Sequence, residues 1–209
     1  MPSFFVPQGA EERAVRRAVP RATVVAIRAG ASAANLPAAL PDGQVVVLGL
    51  CGALRDLRSG ACVIYRDAVD DLGRYTFDAE LLAELHAALP AATLVHACTI
   101  EHVVTRATER AALAAAYGAD VVDMESTHLV RALALRGHSA LVVRIVSDDA
   151  AFDLPPIEDA FAADGNIRPL HLARAFAAKP RAALRFIGNA RRALTLLGIT
   201  AALLSKDVG

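Results

Sequence analysis

Two hydrophobic rhythms alternate along this chain. Val45-Val46-Val47-Leu48 and Leu141-Val142-Val143 are unbroken apolar runs, the pattern of strands covered on both faces. Shorter β-rich segments recur at 4–7, 22–27, 44–50, 61–65, 93–98, 119–122 and 140–146. Helical patterns rich in Ala, Leu, Glu and Arg lie between several of them, at 11–19, 78–88, 108–117 and 123–136. Strands alternating with helices predict an α/β fold, a three-layer αβα sandwich around a mixed, mainly parallel central sheet. No linker, repeat or low-complexity stretch divides it. Residues 1–209 therefore read as one domain, with 155–209 as a helical C-terminal extension.

Two helices carry further detail. Asp123 is suited to cap a helix that Gly137 ends, and Glu125 then falls in its first turn, where the helix dipole favours a carboxylate. The last helix starts after Pro180. Leu184, Ile187, Leu194 and Leu197 mark one face of it, and Arg181, Arg185, Asn189 and Arg192 another. Its apolar stretch 193–204 is twelve residues, too short to span a bilayer. Two readings stay open for that stretch: a helix docked on the core, or an interfacial segment with membrane contact.

Composition narrows the class. Of 209 residues, 55% are hydrophobic but only 5% aromatic, with no tryptophan, so the core is aliphatic. Twenty-two basic residues balance 22 acidic ones, an overall balance that argues against a nucleic-acid partner. Such hydrophobicity also excludes a disordered chain. Three dispersed cysteines, Cys51, Cys62 and Cys98, fit reduced thiols and a cytoplasmic location. The first seven residues lack both a basic region and a long apolar run, so they do not read as a signal peptide. His96, Cys98, Glu101 and His102 cluster like a metal box but lack the spacing of zinc peptidases, and core and loop packing is the better reading. No metal or cofactor is expected.

Three stretches could carry chemistry. Gly49-Leu50-Cys51-Gly52-Ala53-Leu54 follows a buried strand, and its glycines would let backbone amides approach a sugar or an anion. It fails as a dinucleotide fingerprint and lacks the phosphate-loop lysine. Val121-Val122-Asp123-Met124-Glu125-Ser126 is a strand running into a helix, the edge where α/β sheets bind ligands. There Glu125 could accept two sugar hydroxyls, or serve only as a dipole partner. Val142-Val143-Arg144-Ile145-Val146-Ser147-Asp148-Asp149 is an apolar strand emptying into Ser-Asp-Asp, which suits a shielded general acid, or a plain turn or helix cap.

The order and spacing of these motifs resemble the nucleoside phosphorylase and nucleosidase superfamily, which contains methylthioadenosine/S-adenosylhomocysteine nucleosidase and the purine nucleoside phosphorylases. The resemblance covers roughly residues 3–150, and Asp-Met-Glu-Ser with Arg-x-x-Ser-Asp is its most specific part. Leu50, the Ala163–Asn166 segment, Lys179-Pro180-Arg181 and Arg191-Arg192-Ala193 are most similar to the hopanoid-associated branch, linked to removing adenine from adenosylhopane.

The resemblance implies roles. Asp148, beside Ser147, would protonate purine N7, since adenine leaves readily only once protonated. Met124 would pack on the ribose and Glu125 hold its hydroxyls. Cys51 and Gly52, with Gly49, would line the ligand site, and the 100–104 stretch the base pocket. Val103 falls near the family's stacking aromatic. For Arg144, salt-bridge scaffolding and ligand contact are both open. An Arg and a Ser that hold phosphate in the phosphorylases read here as Val47 and Leu50, which favours water over phosphate as the nucleophile. Arg28, at a strand end, could replace the lost charge. The water-activating glutamate of the nucleosidases aligns with Ala14, leaving Glu11 and Glu12 as candidates. A small-molecule nucleoside is thus the implied ligand, with phosphate as co-substrate only in a phosphorylase, and a homo-oligomer the implied assembly. A pocket that binds a nucleoside without turning it over is the third reading.

Overall fold

The structure is a computed structural model and describes residues 2–160 and 168–207. The expected αβα class holds. In chain order the strands are β1 (Ser3–Pro7), β2 (Val24–Ile27), β3 (Val45–Ala53), β4 (Cys62–Asp70), β5 (Gly73–Thr76), β6 (Thr93–Thr99), β7 (Val121–Asp123) and β8 (Ala140–Asp148). The helices are α1 (Ala10–Ala18), α2 (Ala79–Ala88), α3 (Ala107–Tyr117), α4 (Ser126–Ala134), α5 (Pro169–Ala178) and α6 (Pro180–Asp207). Two short 3-10 turns, Gly30–Ala34 and Glu158–Ala160, complete the described elements.

The sheet runs β2-β1-β3-β7-β6-β4-β5, and β8 bridges β3 and β4. Strands β3, β8, β4, β6 and β7 therefore close into a ring inside the larger sheet. Strand pairing is mixed but mainly parallel, with β3 running parallel to β1 and β8 and antiparallel to β7. That explains the apolar runs: Val45, Val46, Val47 and Leu48 are all buried, as are Leu141, Val142 and Val143.

One irregularity decides the site. The β3–β8 register passes from Cys51 opposite Val146 to Gly52 opposite Asp148, which leaves Ser147 as an extra residue. Such a bulge bends a strand and re-aims its side chains.

Local chemistry places the helix ends. Asp78 accepts the amides of Glu80 and Leu81, both at 3.0 Å, and starts α2. Gly118, in the left-handed conformation at φ 64°, ends α3. The expected 123–136 helix begins three residues late, at Ser126, because Asp123 still belongs to β7. The N-cap position therefore falls on Glu125, which was expected in the first turn, while Asp123 still accepts the Ser126 amide at 3.2 Å. Strand β5 was not expected. It is a short hairpin partner of β4 with exposed Gly73, Arg74 and Thr76, so it has no hydrophobic signature.

Helix α6 docks on the core, packing against α1, β8 and β3. Its buried line is Ala183, Ala193, Leu197, Ala201 and Leu204. The expected apolar face is corrected in part: Leu197 is buried, but Leu184 is 73% exposed. Small residues win the inward positions because the helices approach closely; a Cβ on Gly198 would lie 3.3 Å from that of Ala18. Stretch 193–204 thus contributes to the main core. No helix among the described residues is long and apolar enough to cross a membrane. Ala163–Asn166 lies outside the described residues.

Candidate active site

The carboxyl ends of β3, β7 and β8 and the start of α1 open onto one cavity of about 970 Å³. Glu11, Cys51, Gly52, Met124, Glu125 and Asp148 all line it. Glu12, Val103 and Ser147 do as well, so residues far apart in sequence converge as the motifs implied. Two expected ligand residues are not brought to its wall. Gly49 and Arg144 lie beneath it, and Gly49 is glycine for a packing reason. A Cβ there would occupy the space of the Arg144 guanidinium.

Arg144 is fully buried on β8. Its Nη2 donates to Ser126 Oγ at 3.0 Å and pairs with Asp123 Oδ2 at 3.2 Å and Glu125 Oε2 at 3.6 Å. Burial works against its charge, but Asp123, Tyr65, Glu125 and Glu11 more than offset this and raise its pKa. Asp123 also accepts Tyr65 Oη at 3.1 Å and Thr99 Oγ1 at 2.8 Å. It is a structural anchor for the guanidinium, and the guanidinium in turn steadies Glu125.

Glu11 comes in from the first turn of α1, and its Oε1 accepts the Leu50 amide at 2.7 Å. Burial raises its pKa from 4.5 to about 7; neighbouring Glu125 adds to this, and Arg144 opposes it. Glu125 accepts the Gly30 amide at 3.2 Å, and burial raises its pKa too. Three carboxylates thus surround one guanidinium. Their summed charge is negative, and a proton on one carboxyl relieves it. Glu12 points elsewhere, accepting Arg16 Nε at 2.8 Å along the helix. Ala14, at the aligned catalytic position, faces α6, where its carbonyl would lie 3.4 Å from a Cβ on Gly198.

Asp148 is buried and forms an ion pair with Arg110, itself 1% exposed. Ser147 Oγ donates to Asp148 and lies 3.1 Å from the Cys51 carbonyl, so the bulge fixes the acid's orientation. A Cβ on Gly52 would lie 3.1 Å from Asp148 Oδ2, which accounts for the second glycine. Gly49 touches the glutamate end and Gly52 the aspartate end. Three residue steps along the strand separate them, a span of roughly 10 Å, comparable to a nucleoside.

Sequence reasoning missed Arg110 and Phe186. Arg110 on α3 donates to the carbonyls of Val104, Asp149 and Ala53 at 2.9, 3.1 and 3.3 Å. In sequence it looks like a solvated helical arginine; its only signal is sharing a face with buried Ala114, four residues on. Phe186 of α6 lines the cavity with Val103 and Ile157. It brings an aromatic ring from a part of the chain where none was sought.

The remaining candidates lie apart. Val47 is buried in the core, and Arg28 is exposed and does not line the cavity. His96 Nδ1 sits 2.6 Å from Asp67 Oδ2, His102 Nε2 sits 2.7 Å from Glu109 Oε1, and Cys98 is buried. No group of His, Cys, Asp and Glu that could hold a metal occurs among the described residues. All three cysteines are free.

The sequence model of the phosphorylase superfamily matches residues 5–178. No curated protein matches. Among solved structures, the chain is similar to the 5′-methylthioadenosine/S-adenosyl homocysteine nucleosidase of Helicobacter pylori, solved with a pyrrolidine ligand. Identity is 13%, covering 99% of this chain and 96% of that one, with a TM-score of 0.72. The futalosine hydrolase of the same organism matches at 12% identity over 99% and 96% of the two chains, TM-score 0.72. The corresponding nucleosidase of Campylobacter jejuni matches at 11% over 97% and 99%, TM-score 0.65.

Proposed function

From the premise that this chain belongs to the phosphorylase superfamily, whose members are nucleosidases or phosphorylases, we propose that it hydrolyses the N-glycosidic bond of an adenine nucleoside or a 5′-substituted relative. The observation that carries this reading is the cluster of Glu11, Asp123 and Glu125 around the single guanidinium of Arg144. A phosphate dianion set beside three carboxylates would meet repulsion in a poorly screened site. Water meets none, and a carboxylate whose pKa is about 7 suits its activation near neutrality.

In this mechanism the ribose lies against Met124, with its hydroxyls on Glu125. The base reaches toward Asp148 and the apolar end formed by Val103, Ile157 and Phe186. Glu11 removes a proton from water as the oxygen bonds to C1′. The C1′–N9 bond breaks, its electrons pass to the purine, and N7 takes up a proton that Asp148, ion-paired with Arg110, first gains from water. As the sugar becomes cationic, the surrounding carboxylates strengthen their hold on it. The relatives that carry methylthioadenosine nucleosidase and futalosine hydrolase in their names support N-glycosidic hydrolysis, and the choice of adenine rests on the resemblance of the motifs.

Adenine release from a panel of nucleosides, with and without phosphate, tests the reading. Free ribose products at a rate independent of phosphate are expected. Ribose 1-phosphate would instead indicate phosphorolysis, and tight nucleoside binding without product would indicate a binding protein. The Asp148→Asn variant should stay folded and lose release by about a hundredfold or more; undiminished release would remove the proposed acid.

A further inference from the structure

Charge is balanced over the whole chain but not along it. Residues 168–206 hold eight of the 22 basic residues and none of the 22 acidic ones, which leaves 14 basic against 22 acidic elsewhere. The eight are Arg168, Arg174, Lys179, Arg181, Arg185, Arg191, Arg192 and Lys206, and all are exposed. They belong to α5, α6 and the residues flanking α5.

The structure orients this charge. Helix α6 turns Ala183, Ala193, Leu197, Ala201 and Leu204 inward. Helical spacing then puts Arg181, Leu184, Arg185, Arg191, Arg192, Ile199 and Leu203 on the opposite side. Leu184 is 73% exposed, Ile199 52% and Leu203 43%. On α5, Leu172, Ala175 and Phe176 pack inward, while Leu170, 84% exposed, and Arg174 point away four residues apart. Exposed leucines and arginines thus share one side of a 28-residue helix, about 42 Å long, on which Arg185 also stacks over the Phe152 ring at 3.3 Å.

We propose that the outward face of α5 and α6 is a docking surface for an anionic lipid bilayer. The charge complement is direct, since eight cations with no carboxylate between Arg168 and Lys206 meet a sheet of phosphate headgroups. Exposed leucines suit that partner and not a nucleic acid, whose bases would call for aromatic platforms. The arginines' long aliphatic stems let their heads stay at headgroup depth while the leucines enter the acyl boundary. This narrows any membrane contact of the apolar stretch 193–204 to its outward residues Ile199 and Leu203, since Ala193, Leu197, Ala201 and Leu204 are committed to the core.

Co-sedimentation of the full chain with vesicles tests the surface. Phosphatidylcholine vesicles containing about 30% phosphatidylglycerol should bind it, pure phosphatidylcholine should bind about tenfold less, and about 0.5 M NaCl should release it. The Arg174→Glu/Arg181→Glu/Arg191→Glu variant should lose binding by about tenfold or more while keeping its helical circular dichroism. Leu184→Ser, at a more than two-thirds exposed position, reads the same surface without charge reversal and should lose binding several-fold. Absence of vesicle binding by the native chain, or binding unchanged in these variants, overturns the proposal. Tighter binding to single-stranded RNA than to vesicles would overturn it in favour of nucleic acid. Salt-sensitive self-association without vesicle binding would overturn it in favour of a second copy.

Discussion

The Leu50 amide donates to Glu11 Oε1 at 2.7 Å. That bond joins the first turn of α1 to the tip of β3 and holds a carboxyl in a desolvated place beside Glu125. The motif resemblance aligns Leu50 with a phosphate-binding serine of the phosphorylases. Here the backbone at that position serves a glutamate instead.

Glu11 should govern the pH profile. The base acts when ionised, so kcat/KM is expected to rise with pH through about 7. Glu11→Gln should lose release by about a hundredfold or more and flatten that limb. Glu12→Gln, which loses only the charge of its pair with Arg16, should stay within about twofold. Initial rates across pH for the three proteins decide between the two glutamates.

The same residue should cost stability. Its folded pKa, about 7, lies above the ordinary 4.5, so the protonated form is the one favoured by folding. Stability from this group is fully present below pH 4.5 and is lost as pH rises through about 7. Glu11→Gln should therefore be more stable than the native protein at pH 8, by on the order of 1–3 kcal/mol, and equal to it near pH 4. Urea denaturation at both pH values measures this. An inactive variant that is less stable at pH 8 would refute the argument.

Arg110 and Asp148 should be energetically coupled. Arg110→Met leaves a buried carboxylate without its partner and should cost about 3 kcal/mol. Adding Asp148→Asn should recover part of that loss, so the double variant falls short of the sum of the singles. Additive losses in a urea double-mutant cycle would show that the pair is not a unit.

Gly49→Ala tests the space beneath the cavity. The new methyl group would meet the guanidinium of Arg144, which is fully buried and held in place by Asp123, Glu125 and Ser126. A loss of about 3 kcal/mol is expected. Gly52→Ala meets Asp148 Oδ2 at a milder 3.1 Å and should lower kcat with little loss of stability. Melting curves with parallel rate measurements separate the two.

Leu197→Ala and Leu184→Ala should behave oppositely. Leu197 is fully buried between α6 and the core, and its truncation should cost about 3 kcal/mol. Leu184, mostly exposed, should change stability by less than about 0.5 kcal/mol. Equal losses would mean that α6 sits in a different rotation.

The apolar runs and helical periods were enough to mark seven of the strands and the class of the fold, because continuous burial leaves its trace in composition. Strand β5 left none, since its side chains remain largely in water. Likewise Glu125, Met124 and Asp148 were nominated by motif order, because each stands at or just past the carboxyl end of a strand, the edge where α/β sheets open. What depended on tertiary structure is how those positions are occupied. Arg144 became a buried counter-charge only because β7, α1 and α4 bring Asp123, Glu11 and Ser126 around it. Glu11 was separated from Glu12 by 100° of helix rotation, one facing the cavity's carboxylates and the other an arginine on its own helix. Arg110 found Asp148 across 38 residues of sequence, through a bulge that no local pattern encodes. Sequence records what each residue can do. Which residues meet, and therefore which charges must share a proton, is decided by long-range packing.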